Sequence, residues 1–164
     1  MVAIRNATAK DLDAVTEIYN EAIINNVATF DTEPKTTYEQ QRWFEDHDYK
    51  HPILIAEMGG CVVGWASLSK WSDRCAYTDT AEVSLYIRAA DRGKGIGRKL
   101  LVAIIKEGKN VGLHTIIARI TEGNTVSIHL CEIMGFRHIG TMKEVGNKFG
   151  KLLDVRLMQK IYSK

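Results

Sequence analysis

Cysteine is scarce in this chain of 164 residues. The three present, Cys61, Cys75 and Cys131, are an odd number with no paired spacing. That argues against a disulfide framework and for reduced thiols, as in a cytoplasm. No apolar run approaches the length of a membrane span, so no membrane partner is expected. Net charge is only +2 and there is no long basic run, so nothing points to nucleic acid. No internal repeat, low-complexity tract or linker interrupts the chain. Its first residues, Met1-Val2-Ala3-Ile4-Arg5, lead into a strand and an amphipathic helix rather than reading as a signal peptide. What remains is an ordinary globular composition, 45% hydrophobic and 26% charged. Residues 1–164 suit one domain whose core needs no covalent staple.

The stretch from Thr80 to Leu101 carries the most information. Ala81, Val83, Leu85 and Ile87 are apolar and alternate with Glu82, Ser84 and Tyr86, the pattern of a strand with two unlike faces. Glu82, Ser84 and Tyr86 therefore share one face. Three glycines two apart follow, Gly93, Gly95 and Gly97, and then Ile96, Leu100, Leu101, Ile104 and Ile105 at helical spacing. Strand, glycine-rich loop and helix make a ready anion site. The first turn of a helix has amides without intrahelical partners, and its dipole is positive there. Arg92, Lys94 and Arg98 add charge around the loop.

Two common phosphate motifs are absent. No Gly-x4-Gly-Lys-Ser/Thr occurs, and a dinucleotide fingerprint starting at Gly93 would need glycine where Arg98 stands. The run Arg92-Gly93-Lys94-Gly95-Ile96-Gly97 instead resembles the R/Q-x-x-G-x-G/A signature of the GNAT superfamily of N-acetyltransferases. The resemblance implies acetyl-CoA as cofactor, with coenzyme A as product. The amides from Gly93 to Gly97, with Arg98, would hold its pyrophosphate. Leu85, Tyr86 and Ile87 would pair with the pantetheine as an added strand. Asn124 and Ser127, in the Asn124-x-x-Ser127 passage, would contact the pantetheine or phosphate region.

Taken in order, Val2 to Asn6 read as a strand, and Thr8 can cap a helix from about Ala9 to Asn25. Val27 to Pro34 is a loop holding Phe30, and a short helix follows from Thr36 or Thr37 to Asp46. His47 and His51 have a metal-ligand spacing, but the helix is ending there and no third ligand is evident, so no metal is expected. Ile53–Met58 and Cys61–Ser69 flank Gly59-Gly60 as a hairpin. After the central unit come a strand over Thr115–Ile120, a helix over Thr125–Met134 with Asn124 as N-cap, and strands over 136–145 and 152–160 around a turn at 146–150. The fold class is α/β (α+β): a mixed, mostly antiparallel sheet of about seven strands flanked by about four helices.

A narrower resemblance lies outside the cofactor signature. Thr32-Glu33-Pro34, Ala76-Tyr77 through Thr80-Ala81-Glu82-Val83-Ser84, and Val145-Gly146-x-Lys148-Phe149-Gly150 with Leu153-Asp154 and Met158-Gln159 are similar to the phosphinothricin and methionine sulfoximine acetyltransferase group. This implies a homodimer that acetylates the α-amino group of small amino-acid analogues, with Lys148 and Phe149 approaching the partner subunit's site. Glu82 corresponds to that group's catalytic glutamate. Its residue chemistry agrees, since an ammonium must lose a proton before it can attack a thioester. Ser72, Asp73 and Arg74 fall in the group's substrate loop. Arg74 could take an acceptor carboxylate with both prongs, and Phe30, Trp71 and Tyr77 could supply apolar walls beside Val83 and Ser84. A strand carboxylate facing solvent, or paired with Arg74, is the bland alternative for Glu82. Many GNAT members carry a tyrosine where this chain has Cys131, so the acid that reprotonates the thiolate is open. Two other functions fit the same sequence, a peptide N-acetyltransferase and a non-catalytic acyl-CoA sensor.

Overall fold

The alternating pattern at Thr80–Ile87 becomes the hinge strand of a seven-stranded sheet. A computed structural model describes residues 1–163. The strands are β1 (Val2–Asn6), β2 (Ile53–Met58), β3 (Cys61–Lys70), β4 (Thr80–Ile87), β5 (Thr115–Thr121), β6 (Arg137–Lys148) and β7 (Lys151–Ile161). Their spatial order is β1-β2-β3-β4-β5-β7-β6. Every neighbouring pair is antiparallel except β4 and β5.

Four helices cover the two faces: α1 (Leu12–Asn25), α2 (Thr37–Glu45), α3 (Ile96–Asn110) and α4 (Thr125–Ile133). The expected start of the first helix at Ala9 is a 3-10 turn, Ala9–Asp11, held by a capping box in which Thr8 and Asp11 exchange bonds. The larger core lies under α3 and α4. There Leu100, Ile104 and Ile128 pack on Ala66, Leu68, Ala81, Ile116 and Met158. Full burial of one such leucine or isoleucine is worth about 1.5–3 kcal/mol. On the other face Val15 and Ile18 of α1 cover Ile55 and Trp65.

The sidedness of β4 follows from its alternation. Val83, Leu85 and Ile87 turn into the core under α3, so Glu82, Ser84 and Tyr86 face α1 and α2. The strand pairs with β3 along nearly its whole length, from Ala81 to Ile87. With β5 it pairs only through Thr80↔Thr115, Ala81↔Ile116 and Glu82↔Ile117. Beyond Glu82 the two strands part, which opens the sheet in the middle.

The last hairpin differs from expectation. The strand β6 runs on to Lys148, and the turn is confined to Phe149 and Gly150, so Gly146 lies inside the strand and not in a turn. The register between β6 and β7 shifts between Met142 and Gly146. An irregularity there lets the strand continue while bending. It also brings Gly146 against Phe30, where an added Cβ would sit 2.1 Å from the phenyl ring.

Candidate active site

Where β4 and β5 part, a cleft of about 550 Å³ opens between them, a size suited to a small-molecule ligand. Among its walls are Glu82, Val83, Ser84, Leu85 and Tyr86 from β4, Ala118 to Thr121 from β5, Asn124, Ser127 and Cys131 from α4, and Ala28 to Asp31 from the loop after α1. Of the residues singled out in the sequence, Phe30, Glu82, Val83, Ser84, Leu85, Tyr86, Asn124 and Ser127 line this one cleft. Ser72, Asp73, Arg74 and Tyr77 do not join that lining and stand on the exposed turn between β3 and β4.

One end of the cleft abuts the glycine loop. A Cβ on Gly97 would lie 3.7 Å from Leu85 and 3.6 Å from Leu130, both cleft residues. Gly95 is the N-cap of α3 with φ +76°, a left-handed conformation that disfavours any side chain. Its carbonyl accepts from Lys99, and among the described residues no acceptor takes the amides from Gly93 to Arg98. Those amides converge at the positive end of a fifteen-residue helix. Lys94 is less free than the sequence suggested. Buried Asp91 accepts from Lys94 Nζ at 2.7 Å and from Arg88 Nε at 2.5 Å. These two bonds hold its carboxyl below the usual carboxylate range.

Along β4, the edge from Val83 to Ile87 has lost β5 as a partner, leaving main-chain groups for an extended ligand to pair with. Asn124 caps α4 through Oδ1, which accepts from Ser127 N–H at 3.3 Å. Asn124 lines the cleft, and its Nδ2 is a further hydrogen-bond donor of that side chain. A pyrophosphate at the loop and an extended arm along β4 fit this chain's own geometry.

The other end is built from side chains. The Glu82 carboxylate accepts twice from Arg119 of β5: from Nε at Oε2, and from Nη2 at Oε1 over 2.9 Å. This fork pins β4 to β5 where they begin to separate. The Arg119 guanidinium lies over the Trp71 ring, 5.7 Å from its centroid. Its pKa is raised, chiefly by the bond to Glu82. So the carboxylate does not pair with Arg74, the partner considered from sequence. Arg119 escaped the sequence reading, although it is the one charge in the strand T-I-I-A-R-I-T, and that isolation was the available signal.

The loop after α1 forms the roof. Lys148 Nζ donates to the carbonyls of Asn26 and Thr29, each at 2.8 Å. It is buried within its own subunit, and burial lowers its pKa. Lys148 therefore hooks this chain's own loop. Phe149 beside it is exposed. Thr121 Oγ1 donates to Val27 O at 2.5 Å, and Tyr19 OH donates to Asp31. Tyr19 stacks on Tyr86, centroids 5.1 Å apart, and burial pushes the Tyr86 phenol up to about 12. Cys131 is also buried, and its thiol is pushed up to about 11. Both stay protonated at neutral pH. His47 bonds to Trp43 O, and His51 to Asp48, so they serve separate turns.

The architecture defines a class. A sheet parted at β4 and β5, with a glycine-capped helix at the gap, is the frame of an acyl-CoA-dependent transferase. The description "Acetyltransferase (GNAT) domain" matches residues 4–157, and the chain belongs to that family of N-acetyltransferases. It is 37% identical over 159 residues to an L-methionine sulfoximine/L-methionine sulfone acetyltransferase of Salmonella typhimurium, covering 96% of this chain and 93% of that protein. It is 33% identical to a phosphinothricin N-acetyltransferase of Streptomyces coelicolor, covering 94% and 92%. The solved structure of the Salmonella typhimurium acetyltransferase yncA with its cofactor acetyl-CoA superposes with a TM-score of 0.96 at 36% identity, covering 100% and 95%.

Proposed function

We propose that residues 1–164 form a single domain that transfers acetyl from acetyl-CoA to the α-amino group of a small amino acid or analogue, of the methionine sulfoximine, methionine sulfone or phosphinothricin type, with Glu82 as general base. One observation carries this reading: Glu82 stands on the acceptor-facing side of β4 at the point where the cleft opens, less than a fifth exposed. The relatives named for such amino-acid analogues support the acceptor class.

Acetyl-CoA, when bound, supplies the thioester carbonyl that the acceptor nitrogen attacks. The amides of Gly93 to Arg98 and the Asn124 side chain would hold its polar arm. The open edge of β4 at Leu85, Tyr86 and Ile87 would align the rest, and an amide there can donate to the carbonyl oxygen as charge develops. Glu82 takes a proton from the acceptor ammonium, directly or through water, which leaves the nitrogen lone pair to form the new C–N bond. As C–N forms, C–S breaks and sulfur keeps the electron pair. The nitrogen's second proton leaves to solvent, and the thiolate takes one from water. Cys131 is a poor donor for that step, since its thiol is a weaker acid than an ordinary one.

The exposed Cys61 and Cys75 thiols fit a reducing cytoplasm. Exposed Val145, Phe149 and Leu152 on the β6–β7 hairpin would serve a homodimer contact. The deciding experiment offers methionine sulfoximine, methionine sulfone, phosphinothricin and a short peptide separately with acetyl-CoA and follows thiol release. Saturable release with an amino-acid analogue is expected. Release with the peptide alone would replace this reading by a peptide acetyltransferase, and no release while CoA binds would favour a sensor.

A further inference from the structure

The Glu82–Arg119 pair has the charges of a free amino acid in mirror image. An α-amino acid brings an ammonium and a carboxylate one carbon apart. The cleft offers a carboxylate and a guanidinium already joined at its mouth. We infer that Arg119 is the acceptor's carboxylate site: an entering amino acid exchanges with the internal ion pair, its carboxylate taking the Arg119 fork and its ammonium taking Glu82. The inference rests on the function proposed above and adds a substrate requirement to it, a free α-carboxylate.

Three features carry it. First, the two partners differ in freedom. Glu82 has 18% of its side-chain surface exposed and Arg119 has 54%, so the arginine is the member that can turn to a ligand. Second, β4 and β5 pair no further than Glu82↔Ile117, so no main-chain bond between these strands ties Arg119 to β4. The fork can open without unzipping the sheet. Third, Trp71 lies under the guanidinium. A ring face supports the cation as it turns and keeps its flat fork in plane, which is the geometry a carboxylate needs. Arg74, the residue with the right chemistry in sequence, lies outside the cleft lining.

The exchange conserves ion pairs. One carboxylate leaves Arg119 and another arrives, while the Glu82 oxygens that Arg119 releases accept the ammonium and then its proton. An amine without a carboxylate cannot make the trade. It must break the fork and leave the guanidinium uncompensated beside the acceptor. The same site would therefore reject simple amines and amino-acid amides, and the base becomes available only when the right main chain is bound.

The test compares methionine sulfone with its carboxamide, by acetyl-transfer kinetics and by calorimetric binding to CoA-saturated protein. A bidentate charge-assisted contact predicts that kcat/KM favours the acid by about tenfold to a hundredfold in the wild type. In Arg119→Met the loss falls mainly on the acid, so the ratio drops to within about threefold of one. Arg119→Lys, which keeps the charge without the fork, lies between. Arg74→Met keeps the wild-type ratio. A ratio that survives Arg119→Met, or that follows Arg74 instead, overturns the inference. If methionine sulfone binds with an affinity that depends on Arg119 but no thiol is released, the carboxylate site stands and the proposed catalytic function falls. If thiol is released and Arg119→Met weakens acid and amide alike, the function stands and this site falls. Absence of binding by methionine sulfone, methionine sulfoximine and phosphinothricin alike overturns both.

Discussion

At the Gly93–Arg98 end of the cleft the available contacts are main-chain amides from one continuous loop. At the Glu82 end they are side chains gathered from β4, β5, the loop after α1 and the β6–β7 hairpin. The first end needs a backbone shape, and only a few residue types permit it. The second needs particular atoms held by packing, and many sequences could supply the scaffold. The difference teaches which half of such a site can be varied. Under the function proposed above, the amide end would recognise what all acyl donors share, and the side-chain end what distinguishes acceptors.

The largest test of that division is Glu82→Gln. Turnover is expected to fall by about a hundredfold or more, the scale of losing a general base. Affinity for acetyl-CoA, measured by calorimetry, should not change. A matching loss of cofactor affinity would show that the two ends are not separate. Gly146→Ala comes next. Its Cβ would enter the Phe30 ring at 2.1 Å, so the acceptor loop must shift. Misplacement of about an ångström predicts an acceptor KM raised by at least about tenfold, with the acetyl-CoA KM unmoved. Gly95→Ala is the mirror experiment. Holding a side chain at φ +76° costs about 1–3 kcal/mol, and acetyl-CoA binding should weaken about tenfold while acceptor selectivity stays. If either glycine variant moves the other end's constant, the comparison is broken.

The two ends were not equally visible in the sequence. The loop and its strand and helix lie within residues 80–110, and periodicity plus glycine spacing marks them without any knowledge of the rest. Alternation also assigned the face of Glu82, while the role proposed for it came from the family resemblance and from acid–base chemistry. Arg119 was not visible, since its meaning depends on where β5 stands relative to β4, and that crossover is a tertiary fact. The hook made by Lys148 onto Asn26 and Thr29 was hidden for a different reason. It spans about three-quarters of the chain and targets carbonyls, which no side-chain pattern can announce. Gly146 was assigned to a turn because glycine there reads as a turn residue, whereas the structure uses its missing side chain for Phe30. Local backbone chemistry was legible, and contacts fixed by packing at a distance were not.

Lys148→Met sharpens the acceptor side further. The variant keeps much of the buried stem but leaves two carbonyls without their donor, and unmade buried bonds of this kind cost about 1–3 kcal/mol. The loop is still held by Thr121 and Tyr19, so the acceptor KM should rise only about threefold to tenfold. Thermal unfolding together with KM for each substrate measures both effects, and an unchanged acceptor KM would remove the loop from the specificity account.

The smallest effect on activity is expected where neither end is touched. Asp11 accepts both prongs of Arg5, at 2.8 and 2.9 Å, and also caps the turn at Thr8. The Arg5 bond, opposed by burial and aided by Thr8, holds its pKa down to about 2 against an ordinary 3.8. A carboxylate whose folded value is depressed stabilises the fold fully above its unfolded value and loses that stabilisation as pH falls toward the folded one. The contribution is therefore whole above about pH 5 and fades between about pH 5 and pH 1. Because Arg5 is two-fifths exposed, solvent screening reduces it to about 1–2 kcal/mol. Asp11→Asn should lower stability by that amount at pH 7 and by progressively less in acid, read by denaturant unfolding across pH. Its kcat and both KM values should stay at wild type. A change in either KM would mean that the β1 corner of the sheet communicates with the cleft, and the division into two ends would have to include a third region.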